Sequence, residues 1–414
     1  MSKNIPTLRF PEFKDAPEWE EKALGDLLEF KNGINATKEQ YGKGYKFINV
    51  LDILNNEFIT HDKIIGSVNV DEAVMNKYLV EYGDILFQRS SETQEEVGTA
   101  SVYLDKYSTA TFGGFVIRGK KITDYEPVFL NKLLKTNLSR NQITSKSAGS
   151  TRYNVGQEVL TSVILPFPSL SEQKKIAECF LSIDDLITAQ TAKSQALKEH
   201  KKALMQQIFP SEGESVPKLR FSEFKDAPEW EEKILDEVVN YENGKAHEND
   251  ISENGKYIVV NSKFISTEGD IRKYTNKAFC PANVDDILMV LSDVPNGRAI
   301  AKCYLVESDD LYTVNQRICR LSSKKAVSKF LFYILDRNKY FLSFDDGVKQ
   351  TNLRKEDVLN CPILIPSNQE EQQKIADCLS SFDDLITAQT AKVQALKEHK
   401  KALMQQLFPS VKES

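Results

Sequence analysis

EQKKIAECFLSIDDLITAQTAKSQALKEHKKALMQQIFPS, Glu172 to Ser211, returns as EQQKIADCLSSFDDLITAQTAKVQALKEHKKALMQQLFPS, Glu371 to Ser410, with 33 of 40 positions identical. From Glu172 to Ile208 there is neither Gly nor Pro, and Ala, Leu, Lys, Gln and Glu dominate. Such a composition predicts one continuous helix, started by an N-cap oxygen from Ser169 or Ser171 and stopped by Phe209-Pro210. Its 37 residues would span roughly 55 Å, and the copy, Glu371 to Leu407, as much. Both exceed the usual helix of a globular domain.

At heptad spacing one seam of the first helix carries Ile183, Ile187, Gln190, Leu197 and Leu204, and the copy carries Phe382, Ile386, Gln389, Leu396 and Leu403. The seams are apolar at the ends and polar or small in the middle, where Ala189, Ala192 and Ala196 allow close approach. A single polar seam residue commonly fixes register. An antiparallel, two-fold-related pair is therefore expected, with Gln190 near Gln389 and the helices acting as a spacer.

A second near-copy precedes each helix. PTLRFPEFKDAPEWEEK, Pro6 to Lys22, returns as PKLRFSEFKDAPEWEEK, Pro217 to Lys233, with 15 of 17 positions identical. The intervening stretches have diverged but still echo each other. ALGDLLEFKNG, ending at Gly33, answers ILDEVVNYENG, ending at Gly244; GDILFQRSS at Gly83 answers DDILMVLSD at Asp285; GSTRYNV at Gly149 answers GVKQTNL at Gly347. Runs such as YKFINV, FVIR, YIVV and DILMVL alternate with Gly, Asn and Asp turns, as strands do. VFLNKLLK and KFLFYILDRNKYF read as matching helices. The reading is α+β: two similar α/β domains separated by two long antiparallel helices, a coiled-coil spacer, in a pseudo-two-fold internal repeat. The boundaries expected are 1–171 and 212–370 for the domains, each with its repeat element, and 172–211 and 371–414 for the helices, the last with its tail. A period near 200 residues is domain-sized, which excludes a solenoid.

With 41% apolar and 28% charged residues, each half can build a core. The apolar runs are strand-length, and the N-terminus has no apolar signal segment, so a soluble, cytoplasmic chain is expected. Six cysteines without CxxC pairs or companion histidines predict reduced thiols and no zinc site. The net charge of −6 argues against nucleic acid, yet phosphate binding depends on a local face. Arg118 to Arg152 holds eight basic residues against two acidic, and Arg317 to Lys355 ten against three. The recurrence of a basic segment at one place in two diverged units points to DNA.

Residues able to contact phosphates or base edges within these segments and the turn-rich loops are Lys31, Gln88, Arg89, Ser90, Arg118, Arg140, Lys146, Ser150, Thr151, Arg152 and Tyr153 in the first unit. In the second they are Lys245, Ser292, Arg298, Arg317, Arg320, Lys349, Gln350, Thr351, Asn352 and Arg354. No catalytic or metal-binding residue is expected. There is no GxGxxG after a strand, no GxxxxGK[ST], and no NPPY-type segment. Glu20-Glu21-Lys22 and its copy fit the E-x-K of metal-dependent nucleases only as a charged turn does.

Two variable units, a duplicated LRFPEF…W element and duplicated long helices introduced by LPFPSLSEQKKIA and ended by KALMQQIFPS resemble the specificity subunit of type I restriction-modification systems. That resemblance implies a non-catalytic protein in which each unit is a target recognition domain reading one half of a bipartite, asymmetric DNA sequence, with the helices setting the gap. It further implies double-stranded DNA, two methyltransferase subunits and restriction (translocase) subunits as partners. S-adenosylmethionine would be used by the methyltransferase, with no cofactor in this chain. A protein-interaction scaffold explains the symmetry as well, but not the matched basic segments.

Overall fold

The computed structural model describes residues 4–149, 152–294 and 297–410. The long helices run Leu170–Ile208 and Gln369–Gln406. Ser169 starts the first, its hydroxyl accepting from the Glu172 amide. Asn368 starts the second, its side chain accepting from the Glu370 amide. The chain divides into two compact units, residues 1–191 with 391–414, and residues 192–390, so that each takes one half of each helix.

Both units have one topology. In the first, a four-stranded antiparallel sheet is ordered Leu28–Asn32, Val116–Lys121, Ile85–Gln88, Ala100–Val102. In the second the order is Val239–Asn243, Ile318–Ser323, Ile287–Val290, Cys303–Leu305. A smaller sheet joins Tyr41–Ile48 in parallel to Thr111–Phe112, and its counterpart joins Tyr257–Val260 in parallel to Tyr312–Val314. The expected runs YKFINV, FVIR, YIVV and DILMVL lie largely in strands; VFLNKLLK forms helix Pro127–Leu133, but KFLFYILDRNKYF is not one helix, since it breaks at Arg337, which has a positive φ, into Ser328–Leu335 and Lys339–Leu342.

The repeat elements are explained by what they bind. Glu20–Ala23 pairs antiparallel with Ile164–Phe167, the strand that feeds the first long helix, and Glu231–Ile234 pairs likewise with Pro362–Ile365. At the first turn of the helix Glu172, 1% exposed, accepts two hydrogen bonds of 2.7 Å from Arg9 and one of 3.3 Å from the Trp19 indole. Glu371, also 1% exposed, receives Arg220 at 2.7 and 2.8 Å and Trp230 at 3.3 Å. The next residue binds the variable domain: Gln173 accepts from the Glu126 amide and donates to the Pro168 carbonyl, and Gln372 does the same with Val327 and Pro366. Trp19 packs edge-on against Phe129 and Phe408, and Trp230 against Phe330 and Phe209. The helix ends therefore close the cores: Leu407 and Phe408 belong to that of the first unit, Ile208 to that of the second.

Within the second unit the helix halves run antiparallel. Ser194 meets Thr390 and Lys201 meets Asp383, so seven residues forward on one helix are seven back on the other. Phe382 lies edge-on to His200, and Leu204 packs on the core. In the first unit Asp184 binds Lys400 at 2.6 Å and Leu403 packs on the core. Ile183, Ile187, Leu197, Ile386 and Leu396 are half-buried. Gln190 belongs to one unit and Gln389, which is buried, to the other.

The third partner of this helix pair differs between units. Fully buried Lys132 reaches both Glu57 and Asp184 in the first, whereas the Tyr333 hydroxyl donates to Asp383 at 2.7 Å in the second. Burial pushes the Glu57 carboxyl up, but Lys135, Lys132 and Lys400 outweigh it and bring it down to about 2. A carboxylate depressed in the folded state contributes stability above its unfolded pKa, about 4.3, and that contribution is lost as pH falls toward the folded value. Unfolding measured from pH 6 to pH 2 should show the wild type losing stability more steeply below about pH 5 than Glu57→Gln. Parallel curves would contradict the network.

Candidate nucleic-acid interface

Three segments meet at one end of each four-stranded sheet. Arg89 donates its amide to the Phe115 carbonyl, and Val155 donates to the Arg89 carbonyl; in the second unit Leu291 donates to Arg317, and Leu353 to Leu291. Beside this lacing Ser90–Ser91 pairs with Tyr153–Asn154, and Ser292–Asp293 with Thr351–Asn352. The motifs GDILFQRSS and GSTRYNV are thus brought together, as are DDILMVLSD and GVKQTNL. The frame ends at the same place. A Cβ on Gly33 would stand 2.1 Å from the Gly113 carbonyl oxygen, and one on Gly244 2.1 Å from that of Asn315, so only glycine admits the loop that leads to Phe115 or Arg317.

Side chains at this edge are partly tied to each other. The Ser90 hydroxyl bonds the Asn154 side chain, Gln350 donates to Ser292 at 2.7 Å, and Thr351 donates to Asp345 at 3.1 Å. Arg89 reaches the Gly114 carbonyl at 3.3 Å, and Lys31 the Lys77 carbonyl at 3.1 Å, over the Tyr78 ring. Tyr153 packs partly on the core. Arg152, Lys245, Arg298, Arg317, Lys349, Gln350, Asn352 and Arg354 are exposed. Ser150 and Thr151 lie outside the described residues.

Several of the expected residues are buried or tied to other groups instead, Ser292 and Thr351 among the buried ones at 8% and 6% exposure. Gln88 is 3% exposed and donates to the Ser90 carbonyl. Arg118, 5% exposed, donates to the Leu79 carbonyl under the Phe112 ring. Arg140 donates to the carbonyls of Glu95 and Val97 at 2.8 and 2.6 Å, and its burial pushes the guanidinium pKa down. Arg320 is paired with Glu242 and Asp286. Lys146, exposed, bonds Ser162 at 3.1 Å. Burial and pairing thus absorb much of the first basic segment, Lys132 and Lys135 included, and Arg320 of the second; a count along the chain cannot separate such charges from those facing water.

The edge offers guanidinium, ammonium, amide and hydroxyl groups on rigid backbone, a set suited to phosphates and base edges. Among the described residues no group of three His, Cys, Asp or Glu could hold a metal. Glu20 and Lys22 form an ion pair at 3.3 Å, as Glu231 and Lys233 do at 3.1 Å. The six cysteines are free thiols, and no described helix is long and apolar enough to cross a membrane.

A chain that carries one α+β recognition unit twice, on long helices, is a two-headed recognition protein. It belongs to the family of the type I restriction modification DNA specificity domain, which matches residues 17–199 and again 228–398. The putative type I restriction enzyme MjaX specificity subunit of Methanocaldococcus jannaschii is 25% identical over 96% of this chain and 94% of its own. The StySPI specificity subunit of Salmonella potsdam is 24% identical over 87% and 80%. The crystal structure of the type I restriction-modification S subunit from M. genitalium superposes with a TM-score of 0.61 at 15% identity, covering all of both chains. The chain is accordingly a DNA sequence-recognition component of such a system and not its catalyst.

Arg140 and Arg152 share one basic segment, but the first is tied to backbone carbonyls and the second is exposed. Arg152→Ala should lower the slope of log binding constant against log salt by about one unit if it holds a phosphate, with folding unchanged. Arg140→Ala should instead lower the thermal midpoint and leave the slope within error. The reverse pattern would show the basic face misplaced.

Proposed function

We infer that each unit reads one half of a bipartite, asymmetric DNA target, and that the long helices set the unspecified gap and dock two methyltransferase subunits. These use S-adenosylmethionine to methylate adenine, and restriction subunits complete the assembly in the cytoplasm. The domain limits we assign are the recognition units 1–171 and 212–370, with spacer helices in 172–211 and 371–414. One observation carries the reading: the two units share the lacing at the sheet edge, yet Phe115, Arg89 and Tyr153 of the first stand where the second has Arg317, Leu291 and Thr351. The bases are to be read by Arg89, Ser90 and Tyr153 in the first half, and by the exposed Gln350 and Asn352 in the second, beside the buried Ser292 and Thr351. Ser150 and Thr151 join the first set by sequence position, and Lys31, Lys146, Arg152, Lys245, Arg298, Lys349 and Arg354 hold phosphates. A scaffold for protein partners gives no reason for a constant edge with variable polar side chains.

Helices of 39 and 38 residues span roughly 57 Å. Four residues inserted after Ala192 and four after the equivalent Ala391 add about 6 Å and rotate the helix by only about 40°. The variant, expressed with its methyltransferase, should methylate the same half-sites with a longer gap, by up to about two base pairs at 3.4 Å each. Full activity at the original gap, seen in genome-wide methylation maps, would exclude the helices as spacer.

A further inference from the structure

Phe115 is 64% exposed, and the lacing puts it where the second unit has Arg317. Its carbonyl accepts from Arg89 as that of Arg317 accepts from Leu291. Each residue stands two positions beyond the backbone that Gly33 or Gly244 touches, and each directly precedes or opens the strand at the middle of its sheet. Phe115 does not stand alone. With Tyr41 and Leu51, 48% and 67% exposed, it lines a shallow apolar concavity floored by Gly113 and Gly114. A Cβ on Gly114 would lie 1.9 Å from the Asn35 amide oxygen, so the loop is held tightly behind the ring.

An exposed aromatic held on a tight loop, beside a polar edge, has no structural task in its own unit. Resting on the DNA-reading function proposed above, the geometry points to Phe115 as a specificity-determining residue of the first half-site that makes an apolar contact with a thymine C5-methyl group. The major groove presents hydrogen-bond donors, acceptors and, as its apolar feature, the thymine methyl. At the corresponding place Arg317 addresses the second half-site with hydrogen-bond donors, which suits a guanine edge. The two heads therefore differ in kind at one shared position: one reads a methyl group and the other an acceptor pair.

The test uses the full chain assembled with its methyltransferase subunits, and target duplexes in which each thymine of the first half-site is replaced in turn by deoxyuridine, which lacks only the methyl group. One such replacement should weaken wild-type binding by several-fold, while Phe115→Ala binds the two duplexes alike, and Phe115→Leu, still apolar, keeps part of the difference. Phe115→Ala should leave the salt slope and thermal midpoint unchanged, whereas Arg317→Ala should disturb the second half-site only. A Phe115→Ala protein that still distinguishes thymine from deoxyuridine, or a wild type indifferent to every replacement, overturns the inference while leaving sequence-specific binding intact. A wild-type assembly with no sequence preference would overturn the proposed function itself.

Discussion

The buried carboxylate at the first turn of each long helix is the interaction on which the rest depends. Glu172 and Glu371 each hold an arginine and a tryptophan from a repeat element some 150 residues away in sequence. Removing one partner of such a buried pair leaves an uncompensated charge, costing on the order of 3–5 kcal/mol. The helix N-terminus also favours a carboxylate there. The adjoining glutamine fastens the variable domain to the same turn. Two consecutive residues thus tie together the repeat element, the domain and the helix, which is why these stretches stay nearly identical while the sequence between them diverges.

The frame leaves the domains free where it makes no contact. Lys132 and Tyr333 occupy related places against the helix pair and satisfy the aspartate there by different chemistry, an ion pair in one case and a hydroxyl in the other. At the edge of each four-stranded sheet the backbone lacing is retained while several of the side chains it carries change, Phe115 to Arg317 and Tyr153 to Thr351 among them. Constancy of main-chain bonds with variation of side chains is how a fixed scaffold carries different specificities.

Much of this was legible in the sequence because the chain repeats itself. Two copies of a Gly- and Pro-free stretch gave the helices, and motif echoes as short as GSTRYNV and GVKQTNL gave the common topology. What the sequence hid depends on contacts remote along the chain. The pairing of Arg9 with Glu172 has no local signature, nor does the closing of the first unit by Phe408. Counting charges overstated the basic face, since Arg118, Arg140 and Lys132 are committed internally. Searching for polar readers also passed over Phe115, for which the signal was present: a bulky apolar residue after two glycines, on a loop that the frame's last glycine touches.

The central claim is that one frame carries two separable readers, and it is tested most directly by transplanting a reader. Residues 24–163, which lie between the first repeat element's strand and the strand feeding the first helix, would be replaced by the corresponding segment of another specificity subunit, and methylated adenines mapped across a genome. The account predicts a new sequence in one half of the target, with the other half and the gap unchanged. A stable, active hybrid in which both halves change, or neither does, would contradict it.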